Sequence, residues 1–137
     1  RMRRKGRSRA LEYLFGLEFT GNDWKTGLPR SWEKHETNVK VRDYAEILVE
    51  GIMTRRDELD DHIRAALTNW SWDRVDPVER NALRIGLFEM ACLDDVPPPV
   101  AINEAIELAR MYGSDESPRF VNGVLDKLKT IRIEVAP

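Results

Sequence analysis

The stretch DPVERNALRIGLFEMACL, residues 76–93, decides the fold, because it begins as a helix should and is apolar on nearly every side. Asp76 suits the N-cap, Pro77 the first helical position and Glu79 the third, and together they are a strong helix start signal. Residues 82–91 leave little polar circumference, and a helix of that kind is surrounded by others. We therefore predict that it is the central helix, against which the other helices pack.

The chain before this stretch repeats the helical period. Leu11, Leu14, Phe15 and Phe19 lie at i, i+3 and i+4 spacing, which predicts an amphipathic helix over roughly 7–20 with these residues on its apolar face. Longer stripes predict two more helices in 41–52 and 59–70. Between the first two helices, TGNDWKTGLP contains three turn formers and a proline, so we expect a mobile loop that reaches the late thirties.

The chain after this stretch is helical as well. Prolines at 97–99 force a break, the helical period returns over 102–109, and Gly113 suits a C-cap. Ser117 then starts a last helix, whose stripe continues to Ile131. The sequence therefore predicts an all-α protein.

One dipeptide argues against the last helix. Asn-Gly at 122–123 is the strongest short hairpin signal, but Val121, Val124 and Leu125 keep helical spacing straight through it. We therefore predict a helix, and interpret Gly123 as a point where another helix approaches closely. A glycine there costs about 1 kcal/mol relative to alanine.

The charge is unevenly distributed along the chain. The 137 residues carry a net charge of -2, yet the first nine, RMRRKGRSR, contain six basic residues. Such a block repels itself unless an anionic partner such as nucleic acid or a membrane surface neutralises it. Arginine pairs bidentately with phosphate and stacks on bases, so its dominance favours RNA or DNA. The alternative is a disordered, solubilising tail.

A second candidate contact lies in SPRFVNG, residues 117–123. Phe120 falls just off the apolar stripe, and Arg119 precedes it on the polar side. An edge aromatic beside arginine suits base stacking, which is worth about 1–3 kcal/mol per base. The alternative is that Phe120 completes the core.

No catalytic or metal chemistry is predicted. His35 and His62 stand in separate polar contexts without a zinc-ligand spacing, and the phosphate-binding glycine motifs are absent from the sequence. Cys92 is the only cysteine, and we expect it to be a buried small hydrophobe. We expect the acidic pairs at 60–61 and 94–95 to be solvated. The sequence thus predicts a binding protein without a cofactor.

Size and hydropathy indicate one soluble domain over residues 1–137, with 1–9 as a basic arm whose flexible arginines would neutralise phosphates. The apolar run LRIGLFEMACL is interrupted by Glu89 and is far shorter than the roughly 20 residues that span a membrane. No signal peptide is recognisable, and the lone cysteine is consistent with a reducing cytoplasm. Whether the protein is a monomer or a homodimer is left open.

The carboxy-terminal half carries a family resemblance. The string DPVERNALRIGLFEMACLDDVPPPVAINEAIELARMYGSDESPRFVNGVLDKL, residues 76–128, resembles the NusB family of transcription antitermination factors. VAINEAIELA followed by FVNGVLDK is similar to the family's signature, and RRKGR before an amphipathic helix to its arginine-rich amino terminus. The resemblance implies about seven helices in two small packed bundles.

The resemblance also implies partners and site residues. NusB proteins pair with the ribosomal protein NusE, bind single-stranded boxA RNA of nascent ribosomal RNA transcripts, and so act indirectly on elongating RNA polymerase. Glu79 matches a position on the NusE-binding face, although its place at the helix start explains it equally well. The implied RNA-binding residues are Arg3, Arg4, Lys5, Arg7, Arg119 and Phe120.

One departure and two alternatives accompany the resemblance. Where relatives have an aromatic or polar residue and then a basic one, this chain has Pro98 and Pro99, so a positive charge is lost; the extra Arg9 is a possible compensation. One alternative is the RNA-binding part of a ribosomal RNA cytosine methyltransferase. The other is a helical adaptor whose arginines stay solvated or whose RNA surface is buried in a homodimer.

Overall fold

The computed structural model describes residues 2–21, 23–28, 36–69 and 71–134; Arg1, His35 and Trp70 lie outside them. Within those ranges the chain forms helices and no strand, which confirms the all-α prediction. A 3-10 turn occupies Trp72–Arg74. The α-helices are α1 (Met2–Thr20), α2 (24–28), α3 (Val39–Thr54), α4 (Arg56–Ala66), α5 (Pro77–Cys92), α6 (Pro98–Tyr112) and α7 (Ser117–Lys127).

Helix α5 is the centre of the fold, as its sequence predicts. Every residue from 81 to 91 is buried, and the helix packs against α1, α3, α4, α6 and α7. The Asp76 side chain caps it by accepting hydrogen bonds from the amides of Val78 at 2.7 Å and Glu79 at 3.4 Å. The most extensive pairings are α1 with α3, and α6 with α5 and α7, so two groups of helices meet at α5.

The amino-terminal half differs from the prediction at three places. Helix α1 begins at Met2 and not near residue 7, so the basic block is part of a helix and not a flexible arm. Residues 24–28, predicted as loop, are helical, while residues 29–35 of that segment lie outside the described ranges. Helix α4 ends at Ala66 and does not reach residue 70. The extension of α1 has a physical cause, since its arginines meet carboxylates from other elements.

Close helix approaches occur at other glycines than the one predicted. A methyl group built on Gly51 would lie 2.1 Å from the Phe88 ring, and one on Gly86 would lie 2.6 Å from Leu125. The interpretation of Gly123 was wrong, because a methyl group there meets no atom within 4 Å. Where two helices come close depends on how they are arranged in three dimensions, and the spacing of residues along the sequence does not reveal that arrangement.

A buried ion pair joins the central helix to α4 and α1. Arg84 donates from Nε and Nη2 to the two carboxylate oxygens of Asp60, each at 2.8 Å, and from Nη1 to Glu18 at 3.0 Å. Asp60 is only 5% exposed, so the expectation of a solvated acidic pair is wrong for it, whereas Asp61 is exposed. Burial of Asp60 is tolerated because Arg84 is a bidentate partner.

The predicted break before α6, the end of α6 and the start of α7 are confirmed, whereas α7 ends at Lys127 and does not continue to Ile131. Pro97 is the N-cap of α6, and Gly113 follows its last residue. Helix α7 begins at Ser117 and continues through Asn122 and Gly123 without a hairpin. The side chain of Ser117 accepts a hydrogen bond from the Ser114 amide at 3.1 Å, which closes the turn between the two helices.

Candidate nucleic-acid interface

The amino-terminal basic residues lie on the surface of α1 and pair with carboxylates. Arg3 donates from Nη2 to Asp95 at 2.6 Å, in the turn between α5 and α6. Arg4 holds Glu104 of α6 bidentately, with Nε–Oε1 and Nη2–Oε2 distances of 3.0 and 2.8 Å. The side chains of Arg3 and Arg4 are nevertheless 44% and 58% exposed, and Lys5 is exposed. These three cations remain accessible to a polyanion.

Arg7 occupies a different position from its neighbours. It is 5% exposed, and its Nε lies 2.9 and 2.8 Å from the two carboxylate oxygens of Glu89 in α5. Its Nη1 lies 3.2 Å from Glu104, and the Tyr44 hydroxyl donates to Glu89. The expectation of a phosphate contact by Arg7 therefore meets a physical obstacle, because binding phosphate would leave Glu89 buried and unpaired.

The sequence singled out neither Glu89 nor Tyr44 as partners of the basic block. Glu89 is fully buried, and the guanidinium of Arg3 lies 4.7 Å from the ring centre of Tyr44. Their side chains thus connect α1, α3 and α5 beneath the exposed arginines. One signal was available: Glu89 is the only carboxylate among residues 82–91, and a carboxylate in a buried run needs a cation, because burying it unpaired is very costly.

The carboxylates of this region differ in their electrostatics. Burial raises the pKa of Glu89 above its ordinary value, and the charge of Arg7 offsets this only in part. The hydrogen bond from Arg4 lowers the pKa of Glu104, and that from Arg3 lowers the pKa of Asp95. Asp95 and Glu104 thus stay ionised beside their arginines, whereas Glu89 is ionised against a desolvation penalty.

We expect a pH titration followed by carboxyl carbon NMR to separate two of these groups. Glu89 should titrate above the ordinary glutamate value of 4.5, and Glu104 below it. Because a lowered pKa means that the folded state favours the ionised form, the contribution of Glu104 to stability is lost as pH falls through its folded pKa. Glu89 has the opposite sign: its contribution declines as pH rises above 4.5. A Glu89 midpoint at or below that of Glu104 would contradict the assignment.

Arg9 lies beyond the exposed cations of α1, but its guanidinium is already paired with two carboxylates. Its Nε donates to Glu36 at 2.7 Å, and its Nη1 lies 3.0 Å from Glu12. Pro98 and Pro99, where the family resemblance implies a positive charge, open α6 and line a cleft of about 450 Å³ with Ile102 and residues of α7. Arg9 therefore compensates for the missing charge only if RNA replaces Glu36 and Glu12.

Arg119 and Phe120 form a second group on α7. They line a cleft of about 190 Å³ that runs between α7 and the chain just after α4. Phe120 is half-buried and packs against the core, whereas Arg119 is exposed. Both alternatives for Phe120 therefore hold in part, since its ring contributes to the core and also to the wall of an open cleft. The facing residues are Leu67, Thr68 and Asn69.

The structure places the predicted site residues in two groups with different neighbours. Arg3 and Arg4 contact the turn before α6 and α6 itself, whereas Arg119 and Phe120 face the end of α4. Glu79 belongs to neither group. Its carboxylate accepts a 2.6 Å hydrogen bond from Ser117, which ties the start of α5 to the start of α7.

An exposed aromatic pair lies farther along α1. Phe15 and Phe19 are 37% and 68% exposed, although the helical period suggested that they face the core, and their ring centres are 5.1 Å apart. Between them, Glu18 accepts hydrogen bonds from Arg80 at 2.8 Å and Asn81 at 3.1 Å. The aromatic pair, Phe15 with Phe19, therefore lies beside the start of α5.

The described residues offer little for catalysis. They contain no group of His, Cys, Asp and Glu that could hold a metal ion, and none of their helices is long and apolar enough to cross a membrane. Burial raises the pKa of the half-buried Cys92 thiol to about 11, so it is a poor nucleophile at neutral pH. The surface is suited to binding.

Known proteins are similar to this chain in sequence and in the arrangement of their helices. Residues 4–130 match the sequence model of the NusB family. The transcription antitermination protein NusB of Myxococcus xanthus is 42% identical over 130 residues, covering 92% of this chain and 93% of that protein. The structure of NusB from T. maritima superposes with a TM-score of 0.86 at 34% identity, covering 95% of this chain and 92% of that one. A crystal structure of the antitermination factors NusB and NusE in complex with double-stranded RNA matches with a TM-score of 0.85 at 29% identity, covering 95% and 97%.

Proposed function

The chain belongs to the NusB family of transcription antitermination proteins, and from that membership we propose that it binds single-stranded boxA-type RNA of nascent ribosomal RNA transcripts together with NusE. It thereby supports elongation by RNA polymerase, acting in the cytoplasm as a single RNA-binding domain and not as an enzyme. The observation that carries the proposal is the row of exposed cations Arg3, Arg4 and Lys5 on a rigid helix.

The exposed cations of α1 supply sequence-independent affinity. Their present partners, Asp95 and Glu104, hold Arg3 and Arg4 in place through ion pairs at the protein surface. The Arg3–Asp95 pair is weak because water screens both charges, so a phosphate of an RNA strand can replace or share it. Glu104 is only 15% exposed, but the guanidinium of Arg4 is 58% exposed and can bind a phosphate beside it. Each phosphate contact also releases counterions, which favours binding at low salt. Residues on a helix lose less conformational freedom on binding than a flexible arm does.

Arg7 has a positioning role in this proposal. Through Glu89 it fixes the first turns of α1 against α5. The exposed arginines one turn earlier are then presented in a constant orientation. Phosphate contact falls to Arg3, Arg4 and Lys5, with Arg9 as a weaker candidate.

Recognition of bases is assigned to the cleft on α7. Phosphate contacts orient a strand without reading its sequence, so selectivity requires contacts to bases. Phe120 offers an aromatic surface for stacking and Arg119 an adjacent guanidinium, which is the combination that single-stranded RNA sites use. An RNA strand that contacts both groups would follow the surface from α1 toward α7.

NusE is assigned to the aromatic pair and Glu79. Exposed, adjacent aromatic rings are unusual on a small protein and are typical of the energetic centre of protein interfaces. Glu18 anchors Phe15 and Phe19 beside the start of α5, where Glu79 also lies. NusE therefore adds surface to the complex without covering the exposed cations Arg3 and Arg4, which pair toward α6.

The two alternatives are less well supported. The relative from M. xanthus is an antitermination protein that is 42% identical to this chain, which favours antitermination over the methyltransferase alternative. The adaptor alternative requires that the arginines stay solvated. It is disfavoured by the similarity to a NusB that forms a complex with NusE and RNA.

The salt dependence of RNA binding should identify the phosphate contacts. With three contacts we expect log affinity to fall with log salt at a slope of about -2, since each contact on single-stranded RNA contributes about -0.7. Replacing Arg4 and Lys5 by alanine should reduce the slope by about 1.4 and weaken boxA and scrambled strands alike. Fluorescence anisotropy at four salt concentrations measures both, with Lys129→Ala, an exposed lysine in the turn just after α7, as control. An unchanged slope in the double variant would refute the assignment.

Antitermination itself can be tested in cells. In M. xanthus depleted of its own NusB, a reporter placed behind a boxA leader and a terminator should regain readthrough when this chain is supplied. A leader with scrambled boxA is the control and should gain nothing. Equal readthrough from both leaders, or none from either despite normal expression of the chain, would contradict the proposed function.

A further inference from the structure

The guanidinium of Arg3 has two contacts that respond differently to an incoming phosphate. Its Nη2 donates to the carboxylate of Asp95 at 2.6 Å, and its central carbon lies 4.7 Å from the ring centre of Tyr44. Asp95 is 65% exposed, so water screens this ion pair and a second anion can replace it. The attraction between a cation and an aromatic ring requires none of the five N–H donors of arginine. A phosphate can therefore displace Asp95 while Tyr44 stays in contact with Arg3.

Tyr44 is itself held firmly between α1 and α5. Its side chain is buried, and its hydroxyl donates to the carboxylate of Glu89, which also accepts from the Nε of Arg7. On the side of α1 the nearest residue is Gly6, where an added methyl group would lie 3.1 Å from both Cβ and Cδ2 of Tyr44. The glycine inside the basic block thus lets the backbone of α1 approach the ring closely. Tyr44 is consequently a fixed surface beneath the first turns of α1.

Two arginines of α1 lie over this ring, but only one of them is accessible to a ligand. The guanidinium carbon of Arg7 lies 5.7 Å from the ring centre of Tyr44, and Arg7 is buried and engaged with Glu89. Arg3 is 44% exposed. An exposed arginine ordinarily loses rotamer freedom when a ligand fixes it, which weakens binding. Contact with Tyr44 restricts Arg3 before the ligand arrives.

We propose that Tyr44 is a positioning residue that keeps the guanidinium of Arg3 in place while an RNA phosphate displaces Asp95. This inference rests on the proposed RNA-binding function and adds a buried residue that acts through Arg3 without contacting RNA. The two partners of Arg3 then have opposite effects on affinity. Asp95 competes with the phosphate for the N–H donors of Arg3, whereas Tyr44 reduces the conformational freedom that is lost on binding.

Substitutions of these two partners should therefore change RNA affinity in opposite directions. Tyr44→Leu should raise the dissociation constant of a labelled boxA-type RNA oligonucleotide by about two- to ten-fold, because the Arg3 side chain must then be ordered on binding. Asp95→Asn should lower it by about two- to five-fold, because the competing carboxylate is gone. Anisotropy titrations of the full chain at low salt measure both changes.

A conservative variant separates positioning from a general loss of stability. Tyr44→Phe keeps the ring over which Arg3 lies but removes the hydroxyl that donates to Glu89. Its Tm should fall, because the buried carboxylate loses one donor. Its dissociation constant for the RNA should nevertheless stay within about two-fold of the wild-type value.

A double-variant comparison makes the inference specific to Arg3. In an Arg3→Ala background, Tyr44→Leu should change the dissociation constant by less than about two-fold, because the side chain that the ring positions is absent. Wild-type affinity in Tyr44→Leu, an equal loss in Tyr44→Phe, or a loss that persists without Arg3 would overturn the inference while the proposed function stands. Weaker binding by Asp95→Asn would overturn it as well. Failure of the wild-type chain to bind the oligonucleotide at low salt would overturn both the inference and the proposed function.

Discussion

Replacing Glu89 with alanine is expected to lower the free energy of unfolding by about 3–5 kcal/mol, the largest effect that we expect from a single substitution. Glu89 is fully buried and accepts hydrogen bonds from Arg7 and Tyr44. Its removal leaves a buried guanidinium with Glu104 as its remaining ion-pair partner in the described structure. A buried charge without adequate compensation is far more costly than a lost surface contact.

Urea denaturation monitored by circular dichroism measures this loss. The matched control is Glu107→Ala, which removes an exposed carboxylate that pairs with Arg110 within α6 and should cost less than about 1 kcal/mol. Replacing Arg7 and Glu89 together by methionine should recover much of the stability, because two apolar residues leave no buried charge. Equal effects of Glu89→Ala and Glu107→Ala would contradict the proposed role of the buried pair.

Replacing Phe120 with alanine is expected to weaken binding of boxA-type RNA by about 1–3 kcal/mol, which corresponds to about 5- to 150-fold in Kd. The loss should be smaller for a scrambled strand, because Phe120 lies in the cleft assigned to base recognition and not among the phosphate contacts of α1. The partial burial of the ring also predicts a modest fall in Tm, which is separable from binding.

Anisotropy titrations with both RNAs test this prediction at one salt concentration. The control is Phe19→Ala. It removes an exposed ring that belongs to the aromatic pair on α1 and not to the cleft on α7. In the absence of NusE it should leave RNA affinity unchanged. If Phe120→Ala loses the same affinity for boxA RNA as for scrambled RNA, this cleft does not recognise bases.

Helix positions were predictable from the sequence where local signals and burial agree. Helix α5 begins at Pro77 behind the Asp76 cap and is buried over residues 81–91, as its composition indicates. The helix break at 97–99 and the end of α6 at Gly113 were equally predictable, because proline and glycine determine the local backbone conformation. The continuation of α7 through Gly123 followed from an apolar period that outweighed one turn signal.

The errors concern contacts between residues distant in sequence. Arg7 and Glu89 are 82 positions apart, and neither local spacing nor charge patterning reveals that they meet. The same holds for Asp60 and Arg84, which lie 24 positions apart and form a buried ion pair. Periodicity also placed Phe15 and Phe19 toward the core, because it identifies an apolar face without showing how much of that face other helices cover.

The candidate site was predicted in part. The exposed basic residues and the Arg119–Phe120 pair were identified from composition and from the family signature, and the structure adds the division into two groups. It also changes the expected mechanism, because cations on a helix anchored by Glu89 are preorganised, whereas a flexible arm must be ordered on binding.

The central claim is that this protein and NusE together recognise single-stranded boxA RNA. Its most direct test is an anisotropy titration of labelled boxA RNA with the chain alone, with purified NusE alone and with both. The account predicts weak binding by each protein, clearly tighter binding by the pair, and a preference of the pair for boxA over a scrambled strand. If the pair fails to bind boxA RNA even in low-salt buffer, or binds both strands equally, the account is contradicted.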